Sequence, residues 1–263
     1  MTNWHEIDQH AKKWIKEAGE IIRSSFESTL SIQYKSNPND LVTNMDKEVE
    51  QFLIGKIQDT YPGHRILGEE GYGDEVTDLD GVIWIIDPID GTMNFVHQQR
   101  NFAISIGIYG DGVGYIGLIY DVVHEELYHA FKGNGAYMNE VPLPKLDQVK
   151  IEEAVISINP VWVTENKRFD HNVIVPIVKK VRGTRSYGSA AIECAYVAAG
   201  RLDAYITMRL APWDFAAGII LIEEVGGSVS TLNGEPLDLI SKNSFFIGEK
   251  HLHQHIIEEY LNK

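Results

Sequence analysis

The segment WIIDPIDGTMNFVH, Trp84–His97, constrains the fold more than any other stretch of the chain. A bulky apolar run of this kind belongs to a buried strand, yet it passes straight into Asp87 and Asp90, with Pro88 between them and Gly91 behind. Any fold must therefore carry two carboxylates at the end of one of its most buried elements. A turn would explain the local chemistry, because Asp hydrogen-bonds its own backbone and Gly tolerates positive φ, which makes Asp-Pro and Asp-Gly ordinary turn dipeptides. Only the rest of the chain decides between a plain turn and a site.

With 263 residues, 44% of them apolar, the chain can bury a large core as one domain or as two intimately packed halves. Its 38 acidic and 23 basic residues give a formal charge of −15, which repels phosphate backbones and argues against nucleic acid as a partner. A phosphate-bearing ligand would need something other than surface lysines to neutralise it. The single cysteine, Cys194, lies in the apolar run SAAIECAYVAA and reads as a buried structural thiol, which fits a reducing cytoplasm. No apolar run is long enough to span a membrane, and the opening MTNWHEIDQHAKKW reads as an amphipathic segment rather than a signal peptide. No membrane partner is expected.

Periodicity predicts a mixed α/β chain. Trp4, Ile7, Ala11, Trp14, Ile15, Ala18 and Ile22 recur at helical spacing, so a first helix should end before the polar stretch SIQYKSNPND, which reads as a mobile loop. A second helix starts near Thr43 or Asn44 and stops before Tyr61-Pro62-Gly63. Short strands follow around Ile66 and Ile83, and Phe102 to about Tyr137 reads as an antiparallel meander turning at Gly110-Asp111-Gly112. The second half predicts strands in AVISI and LDAYIT, and helices through Val173–Lys180, Ala190–Ala199 and Ala216–Val225. Gly112, Gly114 and Gly117 spell G-x-G-x-x-G, but they sit among strand-like residues instead of opening a helix, so no dinucleotide fold is expected.

Two further acidic clusters match the context of Asp87 and Asp90. ILGEEGYG sets Glu69 and Glu70 directly after an apolar strand signal, and APWDFAAG sets Asp214 at the mouth of a small-residue helix. Each has a simpler explanation, a solvated loop for the first and a helix cap for the second. Taken together, three acidic clusters at the ends of apolar elements suit one oxygen-rich pocket. Hard divalent cations such as Mg²⁺ select such pockets, binding carboxylates and carbonyls and completing their shell with water and substrate phosphate.

DPIDGTMNFVH, WDFAAG, GEE and DLVTNMD, in this order of position from Asp87, Trp213, Gly68 and Asp40, closely resemble the motif set of the inositol monophosphatase family. The resemblance covers nearly the whole chain. It implies an α/β fold of mixed sheets, a layered α/β/α/β/α sandwich of the sugar-phosphatase type, formed by a single catalytic domain over 1–263 with halves at 1–146 and 147–263 and the site between them. It also implies two to three Mg²⁺ ions per active site, Li⁺ sensitivity, a homodimer and a small phosphorylated metabolite as substrate. By resemblance Glu69, Asp87 and the Ile89 carbonyl hold a first Mg²⁺ that activates the attacking water. Asp87, Asp90 and Asp214 hold the second, and a weaker third site lies near Glu69. Phosphate-ester hydrolysis needs this much positive charge on the phosphoryl and leaving oxygens.

The resemblance also assigns the contacts around the phosphate. Asp90 is shared with the substrate side, and the Gly91 and Thr92 N–H groups should meet a phosphate oxygen, since a helix start favours anions. The Thr92 hydroxyl, paired with Asp46, matches a water-activating dyad, with Glu69 or Glu70 as a competing route for the proton; the residues alone leave that choice open. Lys35 matches a family loop position near the metals, where a closing loop would expel bulk water, and a solvated lysine is the plain alternative. His97 reads as structural, and His251, His253 and His255 as part of a solvated last helix, since alternate residues on a helix do not face together.

Substrate identity is less constrained. RSYGSAAIE aligns with the loop that contacts the leaving alcohol, which points to Gly188, Ser189 and Ala190. Animal members carry an acid seven positions before the motif aspartate to receive inositol hydroxyls, whereas this chain has Thr207. Losing a charge-assisted bond weakens inositol selectivity by about 1 kcal/mol or more. Arg185 and Arg209 could meet a second anionic group, or form surface ion pairs. The leading expectation is hydrolysis of inositol monophosphate to inositol and phosphate. A broader phosphatase for fructose 1,6-bisphosphate, NADP or 3'-phosphoadenosine phosphate is the alternative, and a catalytically silent metal-binding scaffold is the alternative of another class.

Overall fold

The computed structural model describes residues 2–26, 32–34 and 41–261. The first half runs α1 (Trp4–Ser25), β1 (Ile32–Tyr34), β2 (Leu41–Thr43), α2 (Asn44–Thr60), β3 (Arg65–Gly68), β4 (Val82–Asp90) and α3 (Thr92–Gln98). A meander follows: β5 (Ala103–Gly110), β6 (Val113–Asp121), β7 (Glu126–Phe131), β8 (Ala136–Met138) and β9 (Val141–Pro142). The second half adds β10 (Val155–Ile158), α4 (Val175–Lys180), β11 (Gly183–Arg185), α5 (Ala190–Ala198) and β12 (Ala204–Leu210). It ends with α6 (Pro212–Glu224), β13 (Ser228–Ser230), β14 (Asn243–Gly248) and α7 (Lys250–Ile256).

These elements stack in five layers because the strands are apolar on both faces. In β4, Trp84 and Ile86 pack with Ile7, Trp14, Val49 and Leu53 of α1 and α2. The alternate residues Ile83 and Ile85 pack with α5 and α6. The seven-stranded sheet, ordered β3-β4-β5-β6-β7-β8-β9, is thus covered on both sides. Helices α5 and α6 then meet Tyr205, Phe245 and Ile247 of a five-stranded sheet, ordered β11-β10-β12-β14-β13. Ile156, Ile206 and Phe246 turn to its far face, against Ile177 of α4 and Leu252 and Ile256 of α7. The order is the expected α/β/α/β/α sandwich.

Helix α6 occupies the middle layer, which explains why its sequence is apolar on every side. It lies close on the larger sheet because glycines there leave room for its backbone. A Cβ on Gly107 or Gly117 would stand 2.8 Å from Ala216 Cβ or 2.5 Å from the Ala217 carbonyl oxygen. Gly114 and Gly117, two of the three glycines in the dinucleotide-like spacing, are therefore sheet residues that admit a helix.

Three expectations shift. The helix expected from Ala216 begins at Pro212, where a proline needs no N–H partner at the first helical position. The helix expected over Val173–Lys180 divides into a 3-10 turn, His171–Val173, and α4. Part of the expected loop is strand: Ile32–Tyr34 pairs antiparallel with Leu41–Thr43. Lys35 lies outside the described residues.

Candidate active site

The two aspartates of β4 belong to the strand itself. Asp87 is opposite Ser105 and Asp90 opposite Ala103, so two residues of β4, Pro88 and Ile89, face one of β5, Ile104, and the strand carries a bulge. In a regular pleat, residues three apart point to opposite faces. One extra residue brings them back to the same side, and Pro88 sits within the bulge, where a missing N–H leaves the ladder intact. Asp87 Oδ1 accepts the Ile89 N–H at 3.0 Å, which fixes the carboxylate. Gly91 follows with φ 93°, and a Cβ there would meet Asn101 O and Ser189 Cβ at 3.1 Å, so glycine is required.

From the second half, α6 delivers Asp214. One of its oxygens accepts the Ala211 N–H at 2.7 Å and caps the helix. The residue nevertheless reaches the cluster: carboxylate oxygens of Asp87, Asp90 and Asp214 lie within 4.8 Å of one another. Asp214 thus does both things its sequence position allowed. Asp90 Oδ2 is held by the Ser189 hydroxyl and by the Ala191 N–H at 2.7 Å.

Burial pushes all three carboxyls up. Asp87 rises well above its ordinary value through desolvation, then repulsion from Glu69, Asp90 and Asp214. Asp214 rises through desolvation, Asp90 and Glu69. Asp90 is pushed up to about 7 by desolvation, against the hydrogen bonds from Ser189 and Ala191. No lysine, arginine or histidine among the described residues forms an ion pair with the three. An oxygen-only, anionic and largely buried donor set of this kind fits Mg²⁺.

A pH dependence follows. These groups bind protons more tightly when folded than when unfolded, so their contribution to stability is fully present below about pH 4. It is lost as pH rises through the folded value, about 7 for Asp90. In EDTA the melting temperature is expected to be higher at pH 5.5 than at pH 8. Mg²⁺ should raise it more at pH 8, where the carboxylates are ionised. Differential scanning fluorimetry measures both, and a larger Mg²⁺ shift at the lower pH would contradict the assignment.

Beside the trio, Thr92 Oγ1 lies 3.1 Å from both Asp46 Oδ1 and the Ile89 carbonyl. Asp46 lies in the first turn of α2, where its other oxygen accepts the Thr43 N–H at 2.7 Å and the Thr43 hydroxyl at 2.6 Å. It is fully buried, and desolvation raises its carboxyl. Glu69 lies near enough to Asp87, Asp90 and Asp214 to raise the carboxyl of each by repulsion. Its loop is set by Glu50, a buried residue of α2 missed from sequence, which accepts the N–H groups of Glu70 (2.8 Å) and Tyr72 (3.0 Å). Glu50 packs so tightly beneath Gly68 that a Cβ there would touch its carboxylate at 2.6 Å. The signal was available, since Glu50 falls one helical turn after Asp46 on the buried face.

A cleft opens from Asp90 and Asp214, lined in part by Trp162, Gly188, Ser189, Ala190, Glu193 and Thr207. Ser189 is buried with its proton on Asp90, which makes it a positioning group for that carboxylate. Glu193, the second acid missed from sequence, accepts the N–H groups of Tyr187 (2.7 Å) and Gly188 (3.3 Å) and so fixes the loop before α5. Arg209 lines this cleft and an adjoining one with Glu69, Asp214 and Lys242. Arg185 instead lies exposed, its guanidinium on the Thr184 carbonyl. His97 is exposed on α3. The last helix is only partly solvated: His253 is buried, stacked on Phe246 and bonded to Ser230, while His251 pairs with Glu249. Cys194 is buried, which pushes its thiol up.

Comparison with known proteins adds an independent line. The sequence model of the inositol monophosphatase family matches residues 3–262. The chain is 65% identical over 262 residues to inositol-1-monophosphatase of Bacillus subtilis (strain 168), covering 100% of this chain and 99% of that one. Among solved structures, inositol monophosphatase-II from Staphylococcus aureus MSSA476 superimposes with a TM-score of 0.90 at 46% identity, covering 98% and 94% of the two chains. An IMPase/NADP phosphatase complexed with Mg²⁺ and phosphate does so with 0.89 at 28% identity, covering 98% and 95%.

Proposed function

The chain belongs to the inositol monophosphatase family, and from that premise we propose how its residues divide the work of releasing phosphate from inositol monophosphate. It is a Mg²⁺-dependent phosphoric monoester hydrolase. The observation that carries the reading is the convergence of Asp87, Asp90 and Asp214 oxygens within 4.8 Å, beside the Thr92–Asp46 pair.

Glu69, Asp87 and the Ile89 carbonyl would hold one Mg²⁺, and Asp87, Asp90 and Asp214 another. When bound, Mg²⁺ supplies positive charge against the phosphoryl and leaving oxygens and acidifies the attacking water. The chain's own groups do the rest. The Gly91 and Thr92 N–H groups receive a phosphate oxygen at the start of α3. Thr92 Oγ1 accepts a hydrogen bond from the attacking water while donating to Asp46 Oδ1, whose raised affinity for protons suits a base. Asp46 Oδ2 is occupied by Thr43, which keeps Oδ1 for Thr92. Glu70 belongs to the same clamped loop as Glu69 and offers the competing proton route. Gly188, Ser189, Ala190 and Thr207 border the leaving alcohol, and Lys35 contributes to the same reaction. The same reading includes a homodimer, a single catalytic domain whose halves meet at the site, and a cytoplasmic setting.

A panel of phosphate esters assayed for phosphate release with saturating Mg²⁺ tests the reaction, and release from none of them would defeat it. Thr207 tests the alcohol side. Thr207→Glu restores an acceptor for inositol hydroxyls and repels a second phosphate. The kcat/KM ratio of inositol monophosphate to fructose 1,6-bisphosphate should rise about ten- to hundredfold, the scale of one or two charged hydrogen bonds. An unchanged ratio would remove Thr207 from the substrate contacts.

A further inference from the structure

We propose that Trp162 is a positioning residue that turns Thr207 into a hydrogen-bond donor, so that the cleft prefers an ester whose alcohol carries a second phosphate. The proposal rests on the phosphatase reading above and deepens its substrate side. Trp162 lies in the 3-10 turn Pro160–Val163, and its indole Nε1–H donates to Thr207 Oγ1 at 3.1 Å. Both side chains are buried, and both line the cleft that opens from Asp90 and Asp214. An indole can only donate, so the direction of this bond is not in question. Thr207 keeps one proton and one lone pair, and donation into its oxygen strengthens that proton as a donor. Among the described residues the proton goes to no protein group.

Glu193 and Asn159 on this wall each have an oxygen already engaged. Glu193 takes the N–H groups of Tyr187 and Gly188 on its Oε1. Asn159 Oδ1 takes the Val161 N–H at 3.0 Å, which leaves its amide N–H₂ as the open polar group. Arg209, two residues after Thr207 on β12, lines the same cleft, carries five donors and no acceptor, and forms no ion pair among the described residues. Lys242 lines the adjoining cleft, which also contains Arg209. The open groups of Thr207, Asn159 and Arg209 are all donors. Such a wall suits phosphate oxygens, which only accept, better than neutral sugar hydroxyls, and it is the converse of a carboxylate at position 207.

The test measures kcat and KM for inositol 1-phosphate and fructose 1,6-bisphosphate at saturating Mg²⁺ in wild type, Trp162→Phe, Arg209→Gln, Thr207→Val and Thr207→Ser. Trp162→Phe keeps an aromatic ring but removes the N–H together with half of the indole, so the two Thr207 variants isolate the hydrogen bond from the change in packing. Trp162→Phe should lower the bisphosphate-to-inositol kcat/KM ratio by roughly three- to tenfold, the scale of one hydrogen bond, mainly through the bisphosphate KM. Arg209→Gln should lower the ratio at least as far. Thr207→Val should lower it without disturbing Trp162 packing, and Thr207→Ser, which restores the hydroxyl, should recover it. Parallel losses on both esters in Trp162→Phe, or an unchanged ratio in Thr207→Val, overturn the assignment. Turnover of neither ester by the wild type overturns the phosphatase reading itself.

Discussion

Asp87→Asn is expected to lower kcat by a thousandfold or more, about 4 kcal/mol of transition-state stabilisation, in a protein that remains folded. Asp87 is the acid common to both proposed metal positions, and it is the most closely surrounded by others: Glu69, Asp90 and Asp214 all act on it. The amide keeps the shape and the Ile89 contact but removes the charge that makes the pocket attractive to a dication. The same change should raise the melting temperature of the protein in EDTA, because one of the repelling charges is gone. It should also shrink the stabilisation gained on adding Mg²⁺, since a ligand stabilises only in proportion to its binding. Circular dichroism, thermal melts with and without Mg²⁺, and phosphate release on one preparation separate these effects. Near-normal turnover by the folded variant would sink the two-metal assignment.

Thr92→Ala is expected to lower kcat by about a hundredfold or more, the usual contribution of a positioned proton-transfer group, with the Mg²⁺ dependence nearly unchanged. The hydroxyl joins Asp46 to the cluster, and its removal leaves a buried carboxylate with one oxygen still satisfied by Thr43. Thr92→Ser should recover much of the rate because it restores the Oγ. The decisive measurement is a Mg²⁺ titration of the variant. Full rescue at high Mg²⁺ would mean that Thr92 serves the metal pocket through its second contact, the Ile89 carbonyl at 3.1 Å.

The layers and most of the cluster were legible because periodicity and motif are local signals. The alternation in β4, the helical spacing in α1 and the acids after apolar runs can all be read along the chain. What escaped was set by partners distant in sequence. Glu50 and Glu193 look like unremarkable helix residues until the backbone N–H groups they hold, at 70 and 72 or at 187 and 188, are brought beside them. Arg185 and Arg209 were equivalent on paper, and strand geometry separates them: one is turned to its own neighbour's carbonyl and the other lines the cleft. The start of α6 was set four residues late because Pro212 resembles a breaker unless it is known to occupy the first turn. Helical spacing alone leaves His253 in solvent, because its partners, Phe246 and Ser230, come from two strands of the smaller sheet.

The bulge in β4 gives this site a parity. Two carboxylates three residues apart meet on one side only while the strand between them holds one residue more than its neighbour. The smaller sheet repeats the arrangement at its edge of the cleft, where Thr207 and Leu210 of β12 are opposite Phe245 and Asn243 of β14. A substitution at Pro88 or Ile89 alters a side chain and leaves the count alone. Loss of either residue restores the regular pleat: the two acids, now two apart, still share a face, but the backbone contact that fixes the Asp87 carboxylate and the carbonyl that meets Thr92 lose their places between them. The lineage of such a chain is therefore free to drift in letters around the bulge and confined in length across it, so that the spacing between the two acids is the more durable character to inherit.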